Sequence, residues 1–535
     1  MAAARNHTQT FSTVDTAWLH MEKPTNPAMI TGVIIFDKPI DFQRLRATIE
    51  YRMLPFHRFV QRVKEPRFGL GMPRWEDDPN FDLDAHLHRI ALPEPGDQAA
   101  LQDLVGDLMS TSLDFTKPLW QMHLVENVCT PEGPGSALIP RLHHCIADGI
   151  ALMQVVLSMA DEDPDAPWPE PAPKTRQRFD PFGWLFKPVM TAARLAGATV
   201  HTTGTVIHEG FDVFTHPARL KDMAKTGYDG TRALGKLLLI PPDKKTIFRG
   251  RTGVIKRAAW SKPISLEDVK AIGKVMDGTI NDVLLTAVTG ALRRYLEKRN
   301  QPTDGLNFRV IVPVNLRPPN ELEQLGNRFG LVFLSLPVGV QDPIKRLLVL
   351  KRRMDKIKDT PEAVVAFGIL YTIGLTPNQI EDIIIKIFSV KATAVITNVP
   401  GPRHKLYLAG QQIKNFVFWV PAPGDLGLGV SIFSYAGEVM VGVETDAGLV
   451  PDPETIVEDF HAEFDQLKLW MLTDEPQPHQ TPREPAPPQL SPDQEELEPA
   501  AEMAPKDQCQ ALTKTGQPCK NRALPGSTTC RVHQG

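Results

Sequence analysis

The 535-residue chain has no run of about 18 uncharged apolar residues, the length a bilayer-spanning helix requires, so no spanning segment is expected. Its opening, MAAARNHTQTFSTVD, holds no continuous apolar stretch, and a secretory signal peptide is not expected either. Cysteine is scarce: five residues do not make a disulfide scaffold, and they fit a reducing, cytoplasmic compartment. Positive charge is not in excess, with 59 Lys and Arg against 63 Asp and Glu, which argues against nucleic acid as the main partner. What the chain does have is 42% hydrophobic and 23% charged residues, the composition of a globular protein with a substantial core. It also has 49 prolines, gathered in stretches that mark connections.

Hydrophobic periodicity predicts alternating elements, hence a mixed α/β or α+β fold. Strands are expected at 28–36, 121–128 and 136–144, with helices at 41–53, 98–113 and 149–160. Pro140 lies within the third strand and predicts an edge or a bulge there. A proline-rich stretch at 161–181 and helical segments near 186–214 and 218–239 lead into a second body. Its strands are expected at 257–263, 306–316 and 331–340, in ATAVITNVPGP, and in a hairpin turning at Ala436-Gly437. Its helices are expected at 279–299, 343–359 and 453–472. Residues 473–507, with nine prolines and many acidic residues, read as a disordered linker.

The stretch RLHHCIADGIALMQ, 141–154, carries chemistry. A histidine near its ordinary pKa can take up and return a proton at neutral pH, and two stand here where a strand gives way to a helix. Asp148 can cap that helix or bind an arginine and brace the loop, and Gly149 permits a tight entry into it. On the residues alone, the histidines can equally be hydrogen-bonded core positions.

HHCIADG resembles the HHxxxDG signature of acyltransferases with the chloramphenicol-acetyltransferase-like fold. The segments around it narrow the resemblance to bacterial wax ester synthase/diacylglycerol acyltransferases. They are STVDTAWLHMEKPTNPAMITGVIIF, the PLW of 118–120, Asn281-Asp282, VPVNLRP, GNRFG and NVPGP, in that order over residues 10–472. The resemblance implies two chloramphenicol-acetyltransferase-like subdomains, 1–160 and 246–472, joined by a connector at 161–245, with the active site between them. It implies an O-acyltransferase that moves a fatty acyl group from acyl-CoA to a long-chain alcohol or a diacylglycerol, with no catalytic cofactor. By the same resemblance His144 is the general base, His143 and Asp148 support it, and Asn281 is the oxyanion donor. A CoA thiol, with a pKa of about 8.5, leaves readily, so neither an acyl-enzyme nor a serine elbow is needed.

Each role has a plainer alternative. Asn281 is also a plausible helix cap, with Asp282 favouring the positive end of the same helix. Trp120 is a core anchor or a wall of the acyl channel, and it is grouped with Gly149 and Asp282 as a substrate-side position. Arg317 and NVPGP read as structural. Cys145 adjoins the histidines and could act as a nucleophile, but neighbouring strand residues point to opposite faces.

Two further segments stand out. Residues 344–359 hold seven basic and two acidic residues, with Leu347, Leu350, Met354 and Ile357 at helical spacing. This is either a membrane-surface or CoA-phosphate-facing helix, or the solvated face of a core helix. At the end, Cys509, Cys519, Cys530 and His533 are spaced C-x9-C-x10-C-x2-H within 508–535, a ligand set for a structural zinc site. Lys506, Lys514, Lys520, Arg522 and Arg531 nearby could assist contact with an anionic surface, and the tail could dock a protein partner. The expected setting is cytoplasmic, peripheral to a membrane or lipid inclusion. Two other readings stay open: an acyltransferase using a carrier-protein thioester or a non-lipid alcohol, and a catalytically silent lipid-surface protein.

Overall fold

The computed structural model describes residues 8–66, 71–170, 239–316, 325–358, 391–422 and 424–473, with 366, 368, 385, 386, 389 and 390. All of them lie within one compact unit, Met1–Glu475. The helix expected at 186–214, all but the last residue of that expected at 218–239, Arg317, the linker from residue 474 and the four cysteine and histidine tail positions lie outside the described residues.

The first half yields α1 (Thr13–His20), β1 (Met29–Phe36), α2 (Phe42–Thr48), β2 (Leu87–Ala91), α3 (Gln98–Met109), β3 (Trp120–Thr130), β4 (Gly133–His143) and α4 (Gly149–Met159). The second yields β5 (Lys256–Trp260), α5 (Leu266–Val275), α6 (Ile280–Lys298), β6 (Phe308–Asn315), β7 (Phe329–Leu336), α7 (Pro343–Lys358), β8 (Ala394–Pro400), β9 (Asn415–Trp419), β10 (Leu428–Tyr435), β11 (Glu438–Asp446) and α8 (Pro453–Thr473). Side-chain caps set several helix starts: Asp41 opens α2, Asp97 opens α3 and Ser265 opens α5, each accepting backbone N–H groups of the first turn.

A five-stranded sheet in the order β9-β1-β4-β3-β2 and a seven-stranded sheet with the path β11-β10-β8-β6-β7 form the body. Residues 415–419 therefore do not stay with the second subdomain. As β9 they pair antiparallel with β1, Phe418 opposite Gly32, so the chain of the second half completes the first sheet. The subdomains expected at 1–160 and 246–472 therefore share this sheet.

Along β4 the alternation of side chains assigns two environments. Leu138 and Leu142 join the core containing α1 and α4, while Ala137 and Ile139 join the one with α3, Trp260 and Trp419. Pro140 is neither at an edge nor at the bulge, since β4 is the central strand and Pro140 pairs with Met122. The β1 ladder instead skips opposite it, between Thr31↔Arg141 and Ile34↔Leu138, where a proline offers no N–H. Gly32 makes room: a Cβ there would sit 3.3 Å from the Pro140 ring. The bulge is in β3, between Glu126 and Val128, with Asn127 at φ 60°.

Candidate functional site

β4 delivers His143 and then stops. His143 continues the side-chain face of Arg141, its ring packed edge-on against Phe115, with Nε2 3.6 Å from the Glu22 carboxylate. The Cys145 N–H donates to His143 Nδ1 at 3.1 Å, so that nitrogen holds a lone pair and the ring proton faces Glu22. Burial works against the Glu22 carboxylate, but His143, the Ala28 N–H and the Ser112 hydroxyl outweigh it and hold its pKa below the usual range. His143 thus accepts the loop's Cys145 N–H on Nδ1 and faces Glu22 with Nε2, a supporting geometry.

His144 lies past the strand and turns elsewhere. Its imidazole stacks on the Trp18 indole, centroids 3.9 Å apart and planes 17° from parallel, with Phe329 of β7 tilted against it at 5.6 Å. Only 4% of the residue is exposed, and its Nδ1 is buried without a hydrogen-bond partner. Burial pulls its pKa down to about 4, with the Asp148 charge and its own carbonyl opposing the shift. The ring is therefore neutral at neutral pH, its basic form.

The loop after His144 is clamped by the second half of the chain. Asp148 caps α4 by accepting the Ala151 N–H at 2.9 Å, and its other oxygen accepts the Arg328 N–H at 2.9 Å. Its own N–H donates to the Gly326 carbonyl. Gly326 adopts φ 117°, where L side chains rarely sit, which the GNRFG segment requires to make this turn. Asn327 donates to the His144 carbonyl at 2.7 Å and to Asp15 at 2.9 Å. Asp15, on α1, is buried and paired with Arg58 at 3.6 Å; burial raises its pKa. Sequence reasoning missed Asp15, Trp18 and Asn327 as parts of the site. Their signal was present only as membership of the family-like segments.

Beyond the loop runs an apolar cavity, partly open to solvent. Leu152, Val156 and Met159 line it from α4, Ile30 and Leu142 from the sheet, and Phe416 from β9. Its lining follows α4 from Gly149 to Met159, 11 residues or about 16 Å at 1.5 Å each. Gly149 lines it. A Cβ at 149 would meet nothing within 4 Å and φ is not positive, so the turn does not need this glycine as the sequence suggested. At the other side Val399 of β8 joins the lining, and its neighbour Asn398 donates to the Asn281 carbonyl oxygen at 2.5 Å. That bond leaves the Asn281 amide NH₂ as the available donor. Asn281 is not the helix cap: Thr279 caps α6, with Asp282 completing a capping box. Asp282 is fully buried in that structural role.

Three other expectations find their places. Trp120 is a core anchor, wholly buried, donating from Nε1 to the Phe59 carbonyl and absent from the cavity lining. Cys145 is fully buried, and burial raises its thiol well above the ordinary range, so it offers no thiolate. Helix α7 turns Leu347, Leu350 and Met354 into the core, the solvated-face reading of 344–359. Among the described residues no helix is long and apolar enough to cross a membrane, and no cluster of three or more ligating side chains could hold a metal.

His144 thus stands between Trp18 of α1 and Phe329 of β7, and the helix after its loop lines the apolar cavity. Residues 11–284 match the wax ester synthase/diacylglycerol acyltransferase catalytic domain, and residues 325–468 match the C-terminal domain of the same family. The chain belongs to this acyltransferase family. One relative, named as a diacylglycerol O-acyltransferase of Mycobacterium tuberculosis, is 28% identical over 416 residues, covering 77% of this chain and 85% of its own. The wax ester synthase/diacylglycerol acyltransferase of Marinobacter aquaeolei superposes with a TM-score of 0.61 at 22% identity, covering 86% of this chain and 99% of that one. A trichothecene 15-O-acetyltransferase from Fusarium sporotrichioides shares the fold at 0.52 and 11% identity, over 88% and 96% of the two chains. The chloramphenicol-acetyltransferase-like architecture of this acyltransferase is thereby shown.

Proposed function

We propose that the protein transfers a fatty acyl group from acyl-CoA to the hydroxyl of a diacylglycerol, with long-chain alcohols as a second acceptor class, and that His144 is the general base. The observation that carries this reading is the neutral, buried His144 held where the two sheets meet, in a loop whose helix walls the apolar channel. The imidazole takes the acceptor's proton as its oxygen attacks the thioester carbonyl. The tetrahedral intermediate collapses with C–S cleavage, and the imidazolium returns the proton to the CoA sulfur. Asn281 NH₂ is the donor proposed for the transient oxyanion. Asp148 and His143 hold the loop, and the channel along α4 takes the acyl chain. Diacylglycerol is put first because the curated relatives carry that activity in their names. The lipid acceptor makes peripheral contact with a lipid surface part of the proposal. With the α7 stripe packed inside the core, that contact falls to other surfaces.

The test is CoA release from palmitoyl-CoA with dioleoylglycerol, hexadecanol or a short polar alcohol, with the ester identified by mass. Ester from dioleoylglycerol is expected. Ester from neither lipid acceptor would refute the reading, in favour of a different donor or of a binding role.

A further inference from the structure

The pairing of Trp18 with His144 is not explained by packing alone. The two rings are face to face at 3.9 Å, and Trp18 is 4% exposed on a helix whose residues Thr13–Leu19 are all buried. Yet the Trp18 indole N–H is buried without a partner, a polar cost that phenylalanine or leucine at this position would not incur. An indole face attracts a cation more strongly than a phenyl face does, and an aliphatic side chain does not attract it in this way. We propose that Trp18 is a positioning residue for acyl transfer: its indole carries the His144 ring and favours the imidazolium that forms when the acceptor hydroxyl gives up its proton. The proposal rests on His144 being the base.

The location supports a specific role. Desolvation disfavours a charged His144, and the Asp148 charge, its own carbonyl and Asn327 offset this only in part. A π face within contact distance supplies the remaining stabilisation, and it acts only while the ring is charged, hence on the transition state rather than on substrate binding. The titratable groups that act on this ring are Asp148 and His143 in its own loop; Asp15 of α1, paired with Arg58, reaches the loop through Asn327, and Arg328 of the second half donates its backbone N–H to Asp148. All of them are unchanged in the variants below.

The test compares the wild type with W18F and W18L. Two readouts are taken on full-length protein: the His144 pKa by NMR of ¹⁵N-histidine, with H144Q assigning the signal, and steady-state CoA release. The His144 pKa is expected to fall in the order wild type, W18F, W18L. Loss in kcat should follow the same order, reaching roughly 2- to 30-fold in W18L, with KM for acyl-CoA nearly constant. A folded W18F or W18L whose His144 pKa is unchanged or raised would overturn the proposal, as would a loss confined to KM. Full turnover by H144Q in the same assay would instead overturn the base assignment, so the two failures are told apart.

Discussion

Acid should cost this protein both activity and stability through His144, at a pH that its burial sets. Folded, the ring ionises at about 4; unfolded, it ionises near 6.5. Because the folded value is depressed, protons bind the unfolded chain first. The contribution is fully present above about pH 6.5 and is lost as pH falls toward about 4. The difference of 6.5 − 4 = 2.5 units, at 1.36 kcal/mol each, puts the loss at about 3 kcal/mol. His123, also pulled down to about 4 by burial, adds to the same acid window, so the wild type alone does not isolate the His144 share. Denaturant unfolding of the wild type and H144Q at about pH 7 and about pH 4 does. The wild type should lose about 3 kcal/mol more than H144Q across that interval. In parallel, the acid limb of kcat/KM should sit near 4, with activity flat through the range where an ordinary histidine titrates. Parallel pH dependence of the two proteins, or an acid limb between about 6 and 7, would refute the reasoning that His144 is buried and neutral in the resting enzyme.

Three further outcomes follow from the site. Replacing Asn281 with alanine should lower kcat by about 10²–10³ with little change in KM, whereas a change below threefold would remove it as oxyanion donor. A Met159→Trp change shortens the channel. Excluding two or three methylenes, at about 0.8 kcal/mol each, should lower kcat/KM for palmitoyl-CoA roughly 15- to 60-fold while sparing hexanoyl-CoA; equal loss on both donors would count against the channel. For the tail, which lies outside the described residues, we propose a zinc site at Cys509, Cys519, Cys530 and His533. Deleting 508–535 should reduce bound zinc by about one ion per chain, and unchanged zinc content would exclude that site.

Most elements were legible because their signals are local. Asp148 before an apolar helical run predicted α4, and the Ala436-Gly437 turn predicted the β10–β11 hairpin, with positive φ at both turn residues. The errors and omissions share a different cause. Pro140 looked like an edge marker because proline lacks a donor, but Gly32 across the sheet accommodates it in the central strand, a pairing no local rule contains. The sequence reading places no strand at 415–419; tertiary pairing with β1 makes one there, in the sheet of the first half. Trp18 and Asn327 meet His144, the latter across 183 residues, and Asp15 joins through Asn327 across 312, which spacing within a motif cannot express. The cap reading of Asn281 falls because Thr279, one residue before the helix, takes the cap.

The most direct measurement is turnover of H144Q against the wild type with palmitoyl-CoA and dioleoylglycerol, each protein shown to be folded by near-UV circular dichroism. The account predicts that kcat falls by about 10²–10⁴ while the spectrum is retained. Turnover equal to that of the wild type would contradict it.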